Sequence, residues 1–355
     1  ISNCLITTRN MQLRNLVSKQ LLKQRLAEEK FNRKTVSFYR YFKIEDVEDF
    51  RNHLYIDFEA LNIFGRVYVA TEGINAQISV PEHNWDVFKN YLEKQPLLKS
   101  MPLKIAIEDN GKSFYKLIVR IKSKIVADGL NDNTFDVTNV GNHLSAKEFN
   151  EAMQQSGTIV IDMRNHYESE VGFFKDALKP DADTFRDALP QAIEMTKTNK
   201  DNKILLYCTG GIRCEKASAY FKHHGYKDVN QLYGGIIQYA REVNAEHLEN
   251  KFLGKNFVFD ERMGERISDD IVSTCHQCGA KCDTHVNCAN DDCHLLFIQC
   301  DSCKTTYEGC CTPECKAIIN LPEEEQIRLR KGRAKKHAHA VYKSRLRPDL
   351  KKILK

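Results

Sequence analysis

Cys208 lies in a segment whose residue types suit nucleophilic chemistry. The apolar run 203–207 precedes it, and five residues follow it: Thr209, Gly210, Gly211, Ile212 and Arg213. The glycines allow backbone N–H groups to turn towards the sulfur, and a helix that begins near Arg213 adds further N–H donors and the positive end of its dipole. Such surroundings lower the pKa of a thiol and favour the nucleophilic thiolate. The sequence therefore predicts a catalytic Cys208 in an anion-binding loop, to which Arg213 adds a fixed positive charge.

Two assignments near this loop stay open. Cys214 stands six residues after Cys208, at the start of the expected helix, where it is a candidate resolving thiol for an oxidised Cys208. A small cysteine that faces the core would suit the same position equally well. Cys208 itself has an alternative interpretation, a buried and inert thiol in a domain that has lost its activity. The complete loop argues against that alternative.

A second set of cysteines has the spacing of metal ligands. Ten of the thirteen cysteines lie between Cys275 and Cys315. Two Cys-x2-Cys pairs occur there, and zinc takes four thiolates or imidazoles in a tetrahedral arrangement. Segments this short build no core of their own without such a metal. We expect structural zinc rather than an iron–sulfur cluster, which would also use thiolates.

The ligand pairing in this cluster stays open at the level of sequence. Cys310 is an alternative to Cys311, and three histidines, His276, His285 and His294, are alternative ligands. The expected ligands are Cys275, Cys278, Cys288, Cys293, Cys300, Cys303, Cys311 and Cys315.

The composition limits the compartment and the class of protein. No stretch approaches the roughly 20 apolar residues that a membrane-spanning helix needs, so we expect no membrane association. The first twenty residues lack the apolar block of a secretory signal. A basic, amphipathic start also suits a transit peptide, but an ordinary surface helix over 11–30 is the favoured interpretation. Clustered cysteines without an export signal indicate metal binding or redox chemistry in a reducing compartment, and we expect the cytoplasm.

The charge of the chain is unevenly distributed. Residues 328–355 carry a net charge of +11 and residues 1–34 a net charge of +6, although the whole chain carries only +5. The remaining residues, 35–327, are therefore acidic. Two basic ends around an acidic body are typical of a protein whose termini meet a polyanion such as nucleic acid. Solvated, disordered tails are the alternative.

The first folded unit is expected over residues 35–128, after a basic N-terminal extension (1–34). Alternating and apolar runs predict strands at 35–44, 65–70, 74–80, 103–108 and 114–126. Helical spacing predicts helices over 45–61 and 81–98. The first six of these elements follow the order βαββαβ, the ferredoxin-like arrangement, which serves many functions.

A second unit is expected over residues 145–250, after a polar linker (129–144). Strands at 158–162, 203–207 and 229–232, the first two mostly apolar, alternate with helices over 145–153, 185–195, 215–224 and 237–244. Ser145 and Glu148 form a capping box at the first helix. Strands this apolar between helices predict a parallel sheet covered on both faces. A Cys-rich zinc-binding module (251–320) and a basic tail (321–355) with a helix over 322–336 complete an α/β multidomain protein.

The second unit resembles the rhodanese domains. Asp162 and Arg164 end its first strand as that family's Asp-x-Arg does, and 232–235 resembles its closing Leu-x-Gly-Gly. The stretch 168–177 resembles the family's intervening pattern, with Lys-Asp in place of its usual glycine. The resemblance implies a Cys-x4-Arg loop that carries a sulfur atom, whereas related phosphatases have Cys-x5-Arg. We therefore expect a persulfide or sulfenate on Cys208 rather than a phosphocysteine.

Three longer stretches, 65–77, 208–216 and 275–300, occur in the same order as in the rhodanese-domain tRNA uridine hydroxylases, which the chain resembles over roughly 35–320. The resemblance implies an oxidoreductase that hydroxylates the wobble uridine, position 34 of tRNA, to 5-hydroxyuridine. It implies molecular oxygen as co-substrate, tRNA as partner and Cys208 as the catalytic cysteine. The residues identify no electron donor, because no flavin, nicotinamide or haem fingerprint is present.

Two other functions fit parts of the sequence. The first is a sulfurtransferase that carries a persulfide on Cys208 to an acceptor, which the loop length favours as much. The second is a non-enzymatic zinc-dependent RNA-binding protein on a silent rhodanese frame. An intact nucleophile loop argues against the latter.

Overall fold

The computed structural model describes residues 17–131, 134–331 and 350. The chain divides into two compact units between Val126 and Ala127. The expected N-terminal helix is present over Lys19–Glu28, and residues 1–16 of the extension lie outside the described part. Most of the basic tail beyond 331 also lies outside it. No helix among the described residues is both long enough and apolar enough to cross a membrane.

The first unit has the expected ferredoxin-like arrangement, and its fifth strand lies inside the strand expected over 114–126. Its elements are α1 (Lys19–Glu28), β1 (Arg33–Tyr41), α2 (Val47–Ala60), β2 (Phe64–Ala70), β3 (Gly73–Pro81), a 3-10 turn (Glu82–Asn84), α3 (Trp85–Lys94), β4 (Lys104–Ile105) and β5 (Leu117–Ile121). The sheet order is β4-β1-β3-β2-β5. The first four strands pair antiparallel, and β5 lies parallel to β2.

The core of this unit lies between one face of the sheet and the two helices. Alternate residues of β1, Val36 and Phe38, face the same cluster as Phe58 of α2 and Phe88 of α3. The β2–β3 turn requires glycine at Gly73, because its φ is +142° and a Cβ there would lie 2.1 Å from the Arg40 carbonyl oxygen.

The second unit contains the remaining elements of the described chain. They are β6 (Asn142–Leu144), α4 (Ala146–Met153), β7 (Ile159–Asp162), α5 (His166–Ser169), β8 (Gly172–Phe174), α6 (Phe185–Thr196), β9 (Lys203–Tyr207), α7 (Ile212–His223), β10 (Asp228–Leu232), α8 (Gly235–Glu246), β11 (Phe252–Asn256), β12 (Glu265–Arg266), β13 (His285–Asn287), β14 (Leu296–Ile298), α9 (Asp301–Tyr307), α10 (Pro313–Ile319) and α11 (Glu323–Lys331).

A four-stranded parallel sheet, β6-β10-β9-β7, is the frame of this unit. The parallel sheet was expected, but its edge strand β6 lies inside the segment 129–144 that was expected to be a linker. Asn142 and His143 are exposed and polar, so a three-residue edge strand of this kind leaves no apolar pattern in the sequence. Because the strands are parallel, their carboxyl ends gather at one edge, where Cys208 follows β9.

Helix starts in this unit are marked in two ways. The capping box at α4 is confirmed, since Ser145 accepts from the Glu148 N–H and the Glu148 carboxylate accepts from the Ser145 N–H. Helices α7 and α8 begin two or three residues earlier than expected. Their N-caps are Gly211 and Gly234 in the left-handed region, which have no capping side chain for a sequence pattern to register.

The Cys-rich segment is joined to the part that contains the parallel sheet by strand pairing and by a shared core. Strand β11 pairs antiparallel with β8, with Phe252 opposite Phe174. Tyr167 and Val171 pack in one cluster with Phe257 and with cysteines of the Cys-rich segment. Strand β11 and the two- or three-residue strands β8, β12, β13 and β14 were not predicted.

Candidate active site and cysteine groups

Cys208 lies at the carboxyl end of β9 and is fully buried. Its Sγ accepts a hydrogen bond from the Gly211 N–H at 3.1 Å, so the backbone of the catalytic loop (208–213) turns towards the sulfur as predicted. The start of α8 holds the loop from the other side. The Ile236 N–H donates to the Cys208 carbonyl oxygen at 3.0 Å, and the Ile237 N–H donates to the Thr209 carbonyl oxygen at 3.2 Å.

Two glycines give the loop its shape. Gly211 has a φ of +96°, which an L side chain rarely adopts, and it begins α7. Gly235 has a φ of +67°, and a Cβ there would lie 2.5 Å from the Cys208 carbonyl oxygen and 2.7 Å from the Gly210 nitrogen. Gly210 differs from both, because a Cβ built on it meets no atom within 4 Å. The loop is therefore open on the side of Gly210 where a side chain would project.

The surroundings of Cys208 favour its thiolate. Burial raises the pKa of the Cys208 thiol, but a hydrogen bond from the Cys214 thiol, the charge of Arg213 and backbone N–H groups outweigh it. Together they lower the pKa from 9.0 to about 6. Burial and the hydrogen bond to Cys208 raise the pKa of Cys214 well above its ordinary value. Cys208 is thus the thiolate and Cys214 the neutral donor at neutral pH.

Arg213 is held by a buried carboxylate that the sequence analysis did not assign to it. Its Nη1 donates to Glu168 Oε1 at 2.6 Å and its Nη2 to Glu168 Oε2 at 2.9 Å. Nη2 also lies 3.2 Å from Thr209 Oγ1. Burial raises the pKa of Glu168, but Arg213, the charge of Arg164 and the Asn165 N–H together outweigh it and lower the pKa. The bidentate donors of Arg213 therefore serve Glu168, and Arg213 acts on Cys208 through its charge.

Asp162 and Arg164 form a second buried ion pair behind the loop. Arg164 Nη2 lies 2.6 Å from Asp162 Oδ2 and 2.6 Å from the Gly172 carbonyl oxygen. Tyr207, which directly precedes Cys208, donates its hydroxyl to Asp162 Oδ2 at 2.8 Å. This pair touches the strand that carries Cys208 and makes no contact with the sulfur. Its position is that of a structural support.

The eight predicted metal ligands lie in two groups of four. We define the first cysteine group as Cys275, Cys278, Cys300 and Cys303, and the second cysteine group as Cys288, Cys293, Cys311 and Cys315. Within each group, all sulfur atoms lie within 4.8 Å of one another. The two Cys-x2-Cys pairs thus share one group, and Cys311 rather than Cys310 completes the other. Among the described residues, no histidine joins either group.

The sulfur spacing fits a tetrahedral metal. The sulfurs of Cys278 and Cys300 are 3.6 Å apart, and Cys311 lies 3.6 Å from Cys293 and 3.8 Å from Cys315. Zn–S bonds of about 2.3 Å at tetrahedral angles place sulfurs about 3.8 Å apart. Both groups are therefore able to hold a zinc ion, whose chemistry there would be structural because four protein ligands leave no open position.

Family models match three parts of the chain. Residues 33–125 match the UPF0176 acylphosphatase like domain, residues 145–242 match the Rhodanese-like domain, and residues 253–316 match the Rhodanase C-terminal model. Among solved structures, a rhodanese-like domain from Anabaena sp. is 14% identical, with a TM-score of 0.26 over 32% of this chain and 78% of that chain.

Curated relatives match almost the whole chain. A protein of Leptospira interrogans named tRNA uridine(34) hydroxylase is 55% identical over 98% of this chain and 94% of its own length. A protein of Pectobacterium atrosepticum with the same name is 55% identical over 90% of this chain and 91% of its own length. The chain belongs to the tRNA uridine(34) hydroxylase family. The family resemblance and the fold class inferred from the sequence are confirmed.

Two features of this hydroxylase family member escaped the sequence analysis. Glu168 was noted as part of the rhodanese pattern, but its pairing with Arg213 spans 45 residues and has no local signature. His276 was considered as a metal ligand, whereas its Nε2 lies 2.9 Å from Glu170 Oε1. The position of His276 between Cys275 and Cys278 suggested a metal ligand, but the sequence does not show where its ring points.

Proposed function

We propose that this protein hydroxylates uridine 34 of tRNA to 5-hydroxyuridine in an oxygen-dependent reaction, with Cys208 as the catalytic thiol. One observation carries the proposal. A chain of the tRNA uridine(34) hydroxylase family holds Cys208 at the end of a parallel strand, facing a backbone N–H, with a pKa of about 6. A thiol with that pKa is a nucleophile at neutral pH.

Each loop residue has a proposed role. The loop 209–213 binds the anionic sulfur: the Gly211 N–H donates to it, the backbone N–H groups of Arg213 and Cys214 also stabilise it, and Arg213 adds charge. Cys214 is the proposed resolving thiol, since it already donates a hydrogen bond to Cys208. If Cys208 is oxidised to a sulfenic acid, condensation with the Cys214 thiol forms a disulfide and releases water. Asp162 and Arg164 support the strand behind the loop.

The remaining assignments concern the metal, the partner and the compartment. We propose that each cysteine group holds one structural zinc ion, and that tRNA is the partner. The uneven charge supports the assignment of tRNA as the partner, because both ends of the chain are basic and RNA is a polyanion. A tRNA substrate and twelve free cysteines in the described chain favour the cytoplasm, where thiols stay reduced.

The experiment that tests this function is nucleoside mass spectrometry of total tRNA from cells that lack the gene. We expect 5-hydroxyuridine and nucleosides derived from it to disappear on deletion and to return with the wild-type gene. Unchanged levels of these nucleosides in the deletion strain would contradict the proposal.

A second candidate function is persulfide transfer, which the short loop around a buried sulfur favours. It predicts cyanide-sensitive sulfane sulfur on the purified protein and thiocyanate formation from thiosulfate. Loss of a thiolated nucleoside in the deletion strain, with 5-hydroxyuridine unchanged, would select this function over hydroxylation.

A further inference from the structure

One contact joins the first cysteine group to the rhodanese domain close to the catalytic loop. His276, which lies between the ligands Cys275 and Cys278, places Nε2 2.9 Å from Glu170 Oε1. Its Nδ1 accepts a hydrogen bond from the Ile298 N–H at 3.2 Å. Because Nδ1 is an acceptor, the ring proton lies on Nε2 and is donated to the carboxylate. The ring is therefore fixed at both nitrogens.

Glu170 directly follows α5, the short helix that carries Glu168. The Glu170 N–H donates to the His166 carbonyl oxygen at 3.0 Å, so Glu170 continues the turn of α5. Two residues earlier, Glu168 binds Arg213 with both oxygens. The same short helix thus contacts the Cys-rich region through one carboxylate and the catalytic loop through another.

The third side chain of this segment lies in the core of the Cys-rich region. Tyr167 is buried in one cluster with Cys275 and Cys303 of the first cysteine group. Its ring centroid lies 5.4 Å from that of Phe257, edge to face. Tyr167 and Glu170 therefore contact the metal-binding region and Glu168 contacts the catalytic loop, so the position of α5 depends on both.

We propose that the first cysteine group positions the catalytic loop through the Glu170–His276 contact, with Glu170 as the positioning residue. The contact holds α5 in place, α5 holds Glu168, and Glu168 holds the charge of Arg213 beside Cys208. The inference rests on the proposed function only in taking Cys208 as the reactive thiol. A single partly exposed hydrogen bond between a neutral imidazole and a carboxylate adds little stability by itself. Its effect here comes from where it fixes the helix.

The direction of the effect on Cys208 follows from the two hydrogen bonds that Arg213 donates to Glu168. When α5 loosens, the guanidinium follows the carboxylate, because a buried Arg213 without its partner would be an uncompensated charge. The positive charge then spends less time beside the sulfur, and the thiolate of Cys208 is less favoured. Loss of the contact should therefore make Cys208 less reactive in mildly acidic solution.

The test uses the full-length, zinc-containing protein and the variants Glu170→Ala, Glu170→Gln and His276→Ala. The control is Asp228→Asn, which removes the 2.8 Å ion pair with Lys203 at the opposite end of the parallel strands. Hydrogen exchange of residues 165–172 reports on α5. Alkylation of Cys208 by iodoacetamide across pH 5–9, followed on the Cys208 peptide by mass spectrometry, reports on the thiolate. Zinc content and thermal unfolding confirm that each variant is loaded and folded.

We expect Glu170→Ala to keep both zinc ions, to exchange faster over 165–172 and to alkylate about fivefold more slowly at pH 5.5, since its thiolate fraction is smaller. Glu170→Gln keeps a hydrogen bond to His276 and should lie between Glu170→Ala and the wild type. The control should match the wild type.

An alkylation profile of Glu170→Ala equal to that of the wild type would overturn the proposal, even if hydrogen exchange changed, because the contact would then be structural only. If His276→Ala loses zinc or fails to fold, Glu170→Ala still decides the outcome. A shifted profile in a protein that proves unable to hydroxylate tRNA would contradict the proposed function and leave the positioning role standing.

Discussion

Cysteine is used in two different ways within the second unit, and the neighbours of each sulfur decide which. Cys208 faces a backbone N–H, a neutral thiol and the charge of Arg213, so one thiolate is stabilised by the protein itself. In the two cysteine groups, sulfur faces sulfur at 3.6–3.8 Å, where several thiolates repel one another unless a cation lies between them. The first arrangement gives a reactive sulfur and the second a metal ligand.

The largest expected effect separates the ligand cysteines from the others. Cys278→Ser in the first cysteine group should reduce the zinc content from two ions per chain to one and unfold part of the Cys-rich region. Binding of a structural zinc contributes an apparent free energy of about 10–16 kcal/mol, roughly ten times that of a single side-chain contact. Elemental analysis of the purified protein measures the zinc. Cys282→Ser, which lies outside both groups, is the control and should keep both ions; equal losses in the two variants would contradict the grouping.

The next effect concerns the carboxylate beside the catalytic loop. Glu168→Ala leaves Arg213 buried without its partner and should lower the free energy of unfolding by about 3–5 kcal/mol. The half-buried pair of Asp228 with Lys203 gives the comparison, since Asp228→Asn should cost no more than about 1 kcal/mol. Urea unfolding followed by circular dichroism measures both. Equal losses would mean that Arg213 does not depend on Glu168.

A smaller effect distinguishes two glycines that touch the same loop. Gly235→Ala forces a left-handed residue against the Cys208 carbonyl oxygen and should cost about 1–3 kcal/mol. Gly210→Ala places its methyl group in open space and should change the free energy of unfolding by less than about 1 kcal/mol. The same unfolding experiment compares them, and a larger loss for Gly210→Ala would contradict the loop geometry.

The smallest change is in pH alone. Alkylation of Cys208 should rise with a midpoint near pH 6 and level off by pH 8, because the sulfur is already deprotonated there. Acidification below pH 6 adds a proton to Sγ and slows the reaction. Cys214, with its raised pKa, should stay unmodified in the native protein over the same range. A Cys208 midpoint near the ordinary thiol pKa of 9.0 would contradict the thiolate assignment.

The sequence predicted those parts of the fold that leave a local pattern of apolar, polar or capping residues. The apolar strands of the parallel sheet, the capping box of Ser145 and the ferredoxin-like order were all readable, because each leaves a local pattern in the chain. Strands of two or three residues such as β6 and β8 were not, since they are too short to show a period of two. Their pairing partners lie tens of residues away.

In the site, too, contacts within one segment could be predicted and contacts between distant segments could not. The loop after β9 is contiguous, so its cysteine, glycines and arginine could be predicted together. The sorting of cysteines into two groups, the grip of Glu168 on Arg213 and the contact of His276 with Glu170 all join distant segments. Spacing restricts such pairings without selecting one, and only the folded chain does so.

The central claim is that Cys208, among all the cysteines, carries the hydroxylation of uridine 34. It is tested most directly by expressing Cys208→Ser and Cys282→Ser in cells that lack the gene and measuring 5-hydroxyuridine in tRNA by mass spectrometry. We predict that Cys282→Ser restores the nucleoside and that Cys208→Ser, although folded and able to bind tRNA, restores none of it. Restoration by Cys208→Ser would contradict the account.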